Sequence, residues 1–160
     1  MKTMPDMAAA LRSFQSEYRR GGLRLQAGIL DQNLWLCKDN PTGQNARMTY
    51  VKLSGKTVTA LVAFTWVEPI DGIPCAQIGY AVPEKLRKQG RAKEAVNAAL
   101  ADLQHGLRER AGILAFFVEA IVAADNEPSL RVAEQTISVS STAVEAQVPA
   151  LRFLRKMETP

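Results

Sequence analysis

From Ile113 to Val122 the chain is apolar at every position except Glu119, and no other stretch constrains the fold so tightly. A run of that length and composition is the pattern of a central strand covered on both faces. Just upstream, Ala92, Ala95, Val96, Ala99, Leu100, Leu103 and Leu107 fall at i, i+3, i+4, i+7, i+8, i+11 and i+15, which predicts an amphipathic helix. A buried strand beside a long one-sided helix calls for a layered α and β architecture.

The flanking segments fill in the order. Met7, Leu11, Phe14 and Tyr18 recur at helical spacing between Asp6 and Gly21-Gly22, so a first helix is expected there. A short second helix is expected around Gly28 to Leu36, followed by loop chemistry in Asp39-Asn40-Pro41-Thr42-Gly43. Arg47 to Leu53 and Thr57 to Val67 read as a hairpin turning at Ser54-Gly55-Lys56, with Val58, Ala60, Val62, Phe64 and Trp66 on one face of its second strand. Pro69 to Pro74 turns the chain into a third strand, Cys75 to Val82. A short helix from Glu127 to Gln135 and a strand pair, Thr136 to Ser141 and Val148 to Arg155, close the chain. The expectation is one α+β domain over residues 1–160, with a mostly antiparallel sheet flanked by helices.

Composition excludes several classes. Apolar residues make up 47% and charged residues 22%, so the chain is not of the disordered type. Cys37 and Cys75 lack metal-ligand spacing and His105 is the single histidine, so no metal site is expected. No apolar run approaches the ~18 residues that span a bilayer, and no leader pattern is visible; the expectation is a cytoplasmic protein without a membrane partner. The net charge of +4 favours phosphorylated ligands or nucleic acid without choosing between them.

The charge is concentrated between the third strand and the long helix, in Val82-Pro83-Glu84-Lys85-Leu86-Arg87-Lys88-Gln89-Gly90-Arg91-Ala92. Unpaired N–H groups and the positive end of the dipole make a helix start attractive to phosphate. Gly90 would let a ligand approach the backbone, while Arg87, Lys88 and Arg91 add charge. The spacing Arg87-x-x-Gly90-x-Ala92 after a strand ending at Val82 resembles the coenzyme A signature of the GNAT superfamily of N-acetyltransferases. Ile78-Gly79-Tyr80, Pro83-Glu84 and Glu94-Ala95-Val96 extend the likeness toward the Rim-type, ribosomal-protein branch. Asn126-x-x-Ser129-x-x-Val132-Ala133-Glu134 looks like that branch's second coenzyme-binding element, and together the motifs cover about residues 46–155.

The resemblance implies acetyl-coenzyme A as donor, direct attack by an amine in a ternary complex, and a coenzyme site made from Tyr80, Ala81, Val82, Arg87, Lys88, Gln89, Gly90, Arg91, Ala92, Asn126 and Ser129. Tyr80 to Val82 would pair their main chain with the pantetheine amides. Departures are visible too. The glycine and aromatic residue that commonly close the second motif's helix are missing, and the tyrosine many members use as general acid would fall at Ala133.

Glu119, alone in its apolar strand and sharing a face with Phe117 and Ile121, is the first candidate for the base. The alternative is that it meets water or a basic partner at the sheet's open centre. Glu68, at a strand end, is a weaker candidate. Ser129 either donates to the leaving sulfur or caps a helix, and Asn126 either meets pantetheine or caps the same helix. The acceptor, a small amine, a peptide N-terminus or an aminoacyl group, is not legible, and basic charge leaves room for an RNA-linked one. Val148, Leu151, Phe153 and Leu154 either complete the monomer's sheet or face a second copy, and similar proteins often form homodimers. A coenzyme-binding or structural module without turnover is the competing function.

Overall fold

The computed structural model describes residues 4–40, 43 and 46–159; Pro41 and Thr42, expected in a loop, lie outside them. Helix α1 (Met7–Arg20) starts where the Asp6 side chain accepts from Ala9 N–H and stops at Gly21, which is left-handed. Strands β1 (Gln26–Ala27), β2 (Leu34–Asp39), β3 (Arg47–Ser54), β4 (Thr57–Ile70) and β5 (Ile73–Ala81) follow as consecutive antiparallel neighbours. Then come α2 (Arg91–Ala111), β6 (Ala115–Ala123), α3 (Glu127–Thr136), β7 (Thr142–Glu145) and β8 (Pro149–Glu158). The sheet order is β1-β2-β3-β4-β5-β6-β8-β7, and among the described residues only β5 and β6 pair in parallel.

The sheet separates two apolar layers. On one side α2 and α3 bury Val96, Ala99, Leu100, Leu103 and Ala133 against Leu34, Tyr50, Val62, Phe64, Ile78, Phe116, Val118 and Phe153. On the other, α1 lays Leu11, Met7, Phe14 and Tyr18 on Val51, Val58 and Leu61. Each fully buried aliphatic or aromatic side chain contributes ~1.5–3 kcal/mol, so the α2 layer carries most of the stability.

Four expectations need correction. Residues 28–36 form a turn and the start of β2, not a helix, because Leu34 and Leu36 enter the α2 layer while Trp35 joins the α1 layer, a two-residue period. Val58 lies on the opposite face from Ala60 and Val62: the pairing jumps from Lys52↔Ala60 to Leu53↔Val58, leaving Thr59 as an extra residue. The third strand begins at Ile73, since Asp71 and Gly72, both at positive φ, make a two-residue hairpin turn. Residues 136–141 hold no strand. Thr136 ends α3, Ile137 is buried in the core, and the strand before the last is Thr142–Glu145.

Candidate active site

Strands β5 and β6 stay together only from Cys75↔Phe117 to Ile78↔Ala120. Beyond that point Gly79, Tyr80 and Ala81 pair with β4 alone, and Ile121, Val122 and Ala123 pair with β8 alone. The sheet opens there into a V whose inner edges carry main-chain groups with no strand partner, ready to pair with an extended amide chain.

The basic loop stands at the end of the β5 arm. After a single 3-10 turn at Glu84–Leu86, Lys88 (φ 63°) and Gly90 (φ 75°) are both left-handed, and α2 starts at Arg91. A left-handed lysine costs on the order of 1–2 kcal/mol, strain that persists only where the surroundings impose it. Gly90 offers no side-chain cap, so the first-turn N–H groups of α2 keep their donor capacity. A Cβ added at Gly90 would meet nothing within 4 Å: the space over this helix start is open.

The charged side chains divide their roles. Arg87 Nε donates to the Val82 carbonyl at 3.1 Å, clipping the loop to the strand end, and Arg91 Nε donates to Gln89 Oε1 at 3.2 Å. Arg87, Lys88, Gln89 and Gly90 are exposed, while Arg91 and Ala92 are half-buried.

Helix α3 begins on the other arm. Asn126 accepts from Ser129 N–H at 3.3 Å, the capping alternative of its two expected roles. The Ser129 carbonyl accepts the Tyr80 hydroxyl at 2.6 Å, a bond that reaches from the β5 arm to the first turn of α3. Burial pushes the Tyr80 phenol above its ordinary range, so it remains a donor. Tyr80 was expected to act through its main chain; its side chain adds a link that spacing did not reveal. Ala133 is fully buried among core residues, leaving no room for a tyrosine. The missing closing glycine is replaced by other means: Thr136 Oγ1 donates back to Val132 O at 2.6 Å, and Arg155 donates to Thr136 O at 2.9 Å.

Glu119 lies in register with Gln77 one pair before the V opens, on the α1 face of the sheet. It is 2% exposed, and its Oε2 accepts from Arg152 Nε at 2.6 Å. The basic partner raised as the alternative is therefore present, on β8 opposite Ile121. Glu68 is exposed, His105 is half-exposed on α2 and Cys75 is buried.

One buried charge escaped the sequence reading. Asp102, on α2, accepts from Ile29 and Leu30 N–H at 2.6 and 2.9 Å and from the Tyr50 hydroxyl at 3.2 Å. Burial and then the Asp102 charge raise the Tyr50 phenol strongly. The signal was there to be read: Asp102 falls seven residues after Ala95, on the apolar stripe of the helix.

No family model matches the sequence, and no curated protein does. Solved structures do match. An acetyltransferase of the GNAT family from Streptococcus pneumoniae superposes with TM-score 0.52 at 12% identity, over 69% of this chain and 66% of that one. An apo form of RimL, a ribosomal L7/L12 alpha-N-protein acetyltransferase, gives 0.51 at 14% identity over 82% and 94%. RimL in complex with coenzyme A gives 0.49 at 21%, over 69% of this chain and 62% of that one. This chain thus spans less than two thirds of the first and third of these. At such identities the likeness establishes architecture: the chain has the GNAT fold, an α+β sheet parted between its two parallel strands.

Proposed function

We propose that this chain binds acetyl-coenzyme A in the V between β5 and β6 and transfers the acetyl group to an amine. The observation that carries the reading is the coincidence of that V with an uncapped, open helix start at Gly90. Fold neighbours of the acetyltransferase class, one of them Rim-type, agree with the motif spacing.

The residues present fit the coenzyme. The first-turn N–H groups behind Gly90, with Lys88 and Arg91, would receive the pyrophosphate, and the unpaired edge at Tyr80 to Val82 would receive the pantetheine amides. Asn126 and Ser129, joined in the cap of α3, would form the opposite wall. A ligand held behind Gly90 on the helix side and threaded through the gap delivers its thioester to the α1 face, where Glu119 stands. There the amine nitrogen bonds to the carbonyl carbon, the C–S bond breaks, and the amine's proton goes in net to the departing thiolate. Positioning of both partners supplies much of the acceleration. Glu119 would take the proton, held in orientation by Arg152, and Ser129, in the first turn of α3, would donate to the leaving sulfur. The acceptor is a small amine or the amino terminus of a peptide or aminoacyl group.

Release of coenzyme A thiol from acetyl-coenzyme A, followed across a panel of small amines and N-terminal peptides, tests the reading, and amine-dependent release is expected. The ion-paired Glu119 and the core alanine at 133 favour one second reading, a coenzyme-binding module without turnover. Saturable coenzyme binding with no release on any amine would establish it.

A further inference from the structure

The segment just before α1 crosses the V on the α1 face. Met7 packs on Gly79, the first β5 residue past the last pair with β6, so closely that a Cβ at Gly79 would collide with the Met7 thioether. Met4 packs on the cluster of Ile121, Ala146 and Ala150, and Ile121 is the first β6 residue past that pair. Residues 4–7 therefore rest one methionine on each arm. The crossing is tied down by Gln147, whose Oε1 accepts from Met4 N–H at 3.2 Å and whose Nε2 donates to the Met4 carbonyl at 3.3 Å. Asp6, as the cap of α1, anchors the other end. Both methionine side chains are only half-buried, so neither is held there by the core alone.

Resting on the coenzyme reading above, we propose that Met7 and Met4 form the end wall of the acyl pocket and limit the donor to short acyl thioesters. A thioester reaching the α1 face through the V meets this wall directly beyond its carbonyl. Gly79 leaves the thioether lying against the backbone, so acyl carbons beyond the acetyl methyl have to displace Met7. Longer chains are excluded by shape, and the limit is removed by shortening one side chain.

The affinities of coenzyme A, acetyl-coenzyme A, propionyl-coenzyme A and butyryl-coenzyme A, measured calorimetrically for the wild type and for Met7→Ala, test this without any acceptor. The wild type is expected to bind acetyl-coenzyme A at least about tenfold tighter than butyryl-coenzyme A, the scale on which one or two misfitting methylenes discriminate. Met7→Ala is expected to bring the two within about threefold while leaving free coenzyme A affinity unchanged; Met7→Leu, of similar bulk, restores the preference. Gln147→Ala, which frees the Met4 end, relaxes the preference partway and serves if Met7→Ala fails to fold. Equal affinities for acetyl and butyryl thioesters in the wild type, or an unchanged ratio in both variants, would overturn the proposal while leaving the coenzyme site standing. Failure of the wild type to bind any of the four ligands would remove the coenzyme reading and this one together.

Discussion

Two buried carboxylates, each 2% exposed, sit in different regions of the molecule, Asp102 on α2 and Glu119 on β6, and their partners differ in kind. Asp102 sits under the β1–β2 turn and is satisfied by two backbone amides and a phenol, with no cation in contact among the described residues. Glu119 sits at the root of the V and is held by a guanidinium that is one-quarter exposed. Neutral donors fix a turn in one geometry, whereas a charged partner at an open face keeps a carboxylate oriented yet near solvent. The β1–β3 region is thus built to hold shape, and the β5–β6 region leaves main-chain edges, a bare helix start and an ion pair beside a gap. The same chain closes its polar groups where it needs stability and leaves them unclosed where it would bind.

The comparison is broken most forcefully at the closed end. Asp102→Ala removes the acceptor of the buried Tyr50 hydroxyl and of the part-buried Ile29 and Leu30 amides, so a loss of ~3 kcal/mol is expected in urea unfolding. At 2–4 °C per kcal/mol the melting midpoint falls by roughly 6–12 °C. Coenzyme affinity of the folded fraction should stay put; a stable Asp102→Ala protein would mean the turn is held otherwise.

Gly90→Val follows at the open end. The left-handed φ of 75° resists a β-branched residue, and its side chain projects into the open space over the helix start. Coenzyme affinity is expected to drop at least ~30-fold, about 2 kcal/mol, for a stability loss of only ~1–2 kcal/mol. Affinity equal to wild type in a titration would detach the loop from the coenzyme.

Glu119→Gln sharpens the contrast, since it removes the charge that Arg152 faces and keeps the shape. Turnover is expected to slow at least ~10-fold, with coenzyme affinity within about threefold. Unaltered turnover would confine Glu119 to holding Arg152. The smallest effect belongs to Tyr80→Phe, which removes the single bond to Ser129 O and should cost ~1 kcal/mol, seen as faster amide exchange in the first turn of α3.

What was legible in the sequence follows from period and spacing. Helices α1 and α2, the β3–β4 hairpin and the buried β6 were all marked by strong hydrophobic patterns, and the loop at Gly90 by a glycine at a helix entrance. Residues 28–36 misled because Leu30, Leu34 and Cys37 recur at i, i+4 and i+7 as on a helix, while Leu34 and Leu36 alternate as on a strand; what settles them is Asp102, more than 70 residues away, fixing the amides of Ile29 and Leu30. The face reversal at Val58 depends on one extra residue, Thr59, in a strand with apolar residues on both sides, which alternation alone does not register. Tyr80 to Ser129 and Glu119 to Arg152 are pairings between residues far apart in sequence, set by topology, so no local pattern announces them.

The most direct measurement is the unfolding midpoint of the wild type and of Gly90→Val with and without acetyl-coenzyme A, with ATP and NADPH as controls. A ligand at ~100 times its dissociation constant adds ~2.7 kcal/mol, so at 2–4 °C per kcal/mol the wild-type midpoint should rise by roughly 5–11 °C. The account predicts that rise with acetyl-coenzyme A alone, and its loss in Gly90→Val. No rise at millimolar acetyl-coenzyme A, or an equal rise in the variant, would contradict the assignment of the coenzyme to the V behind Gly90.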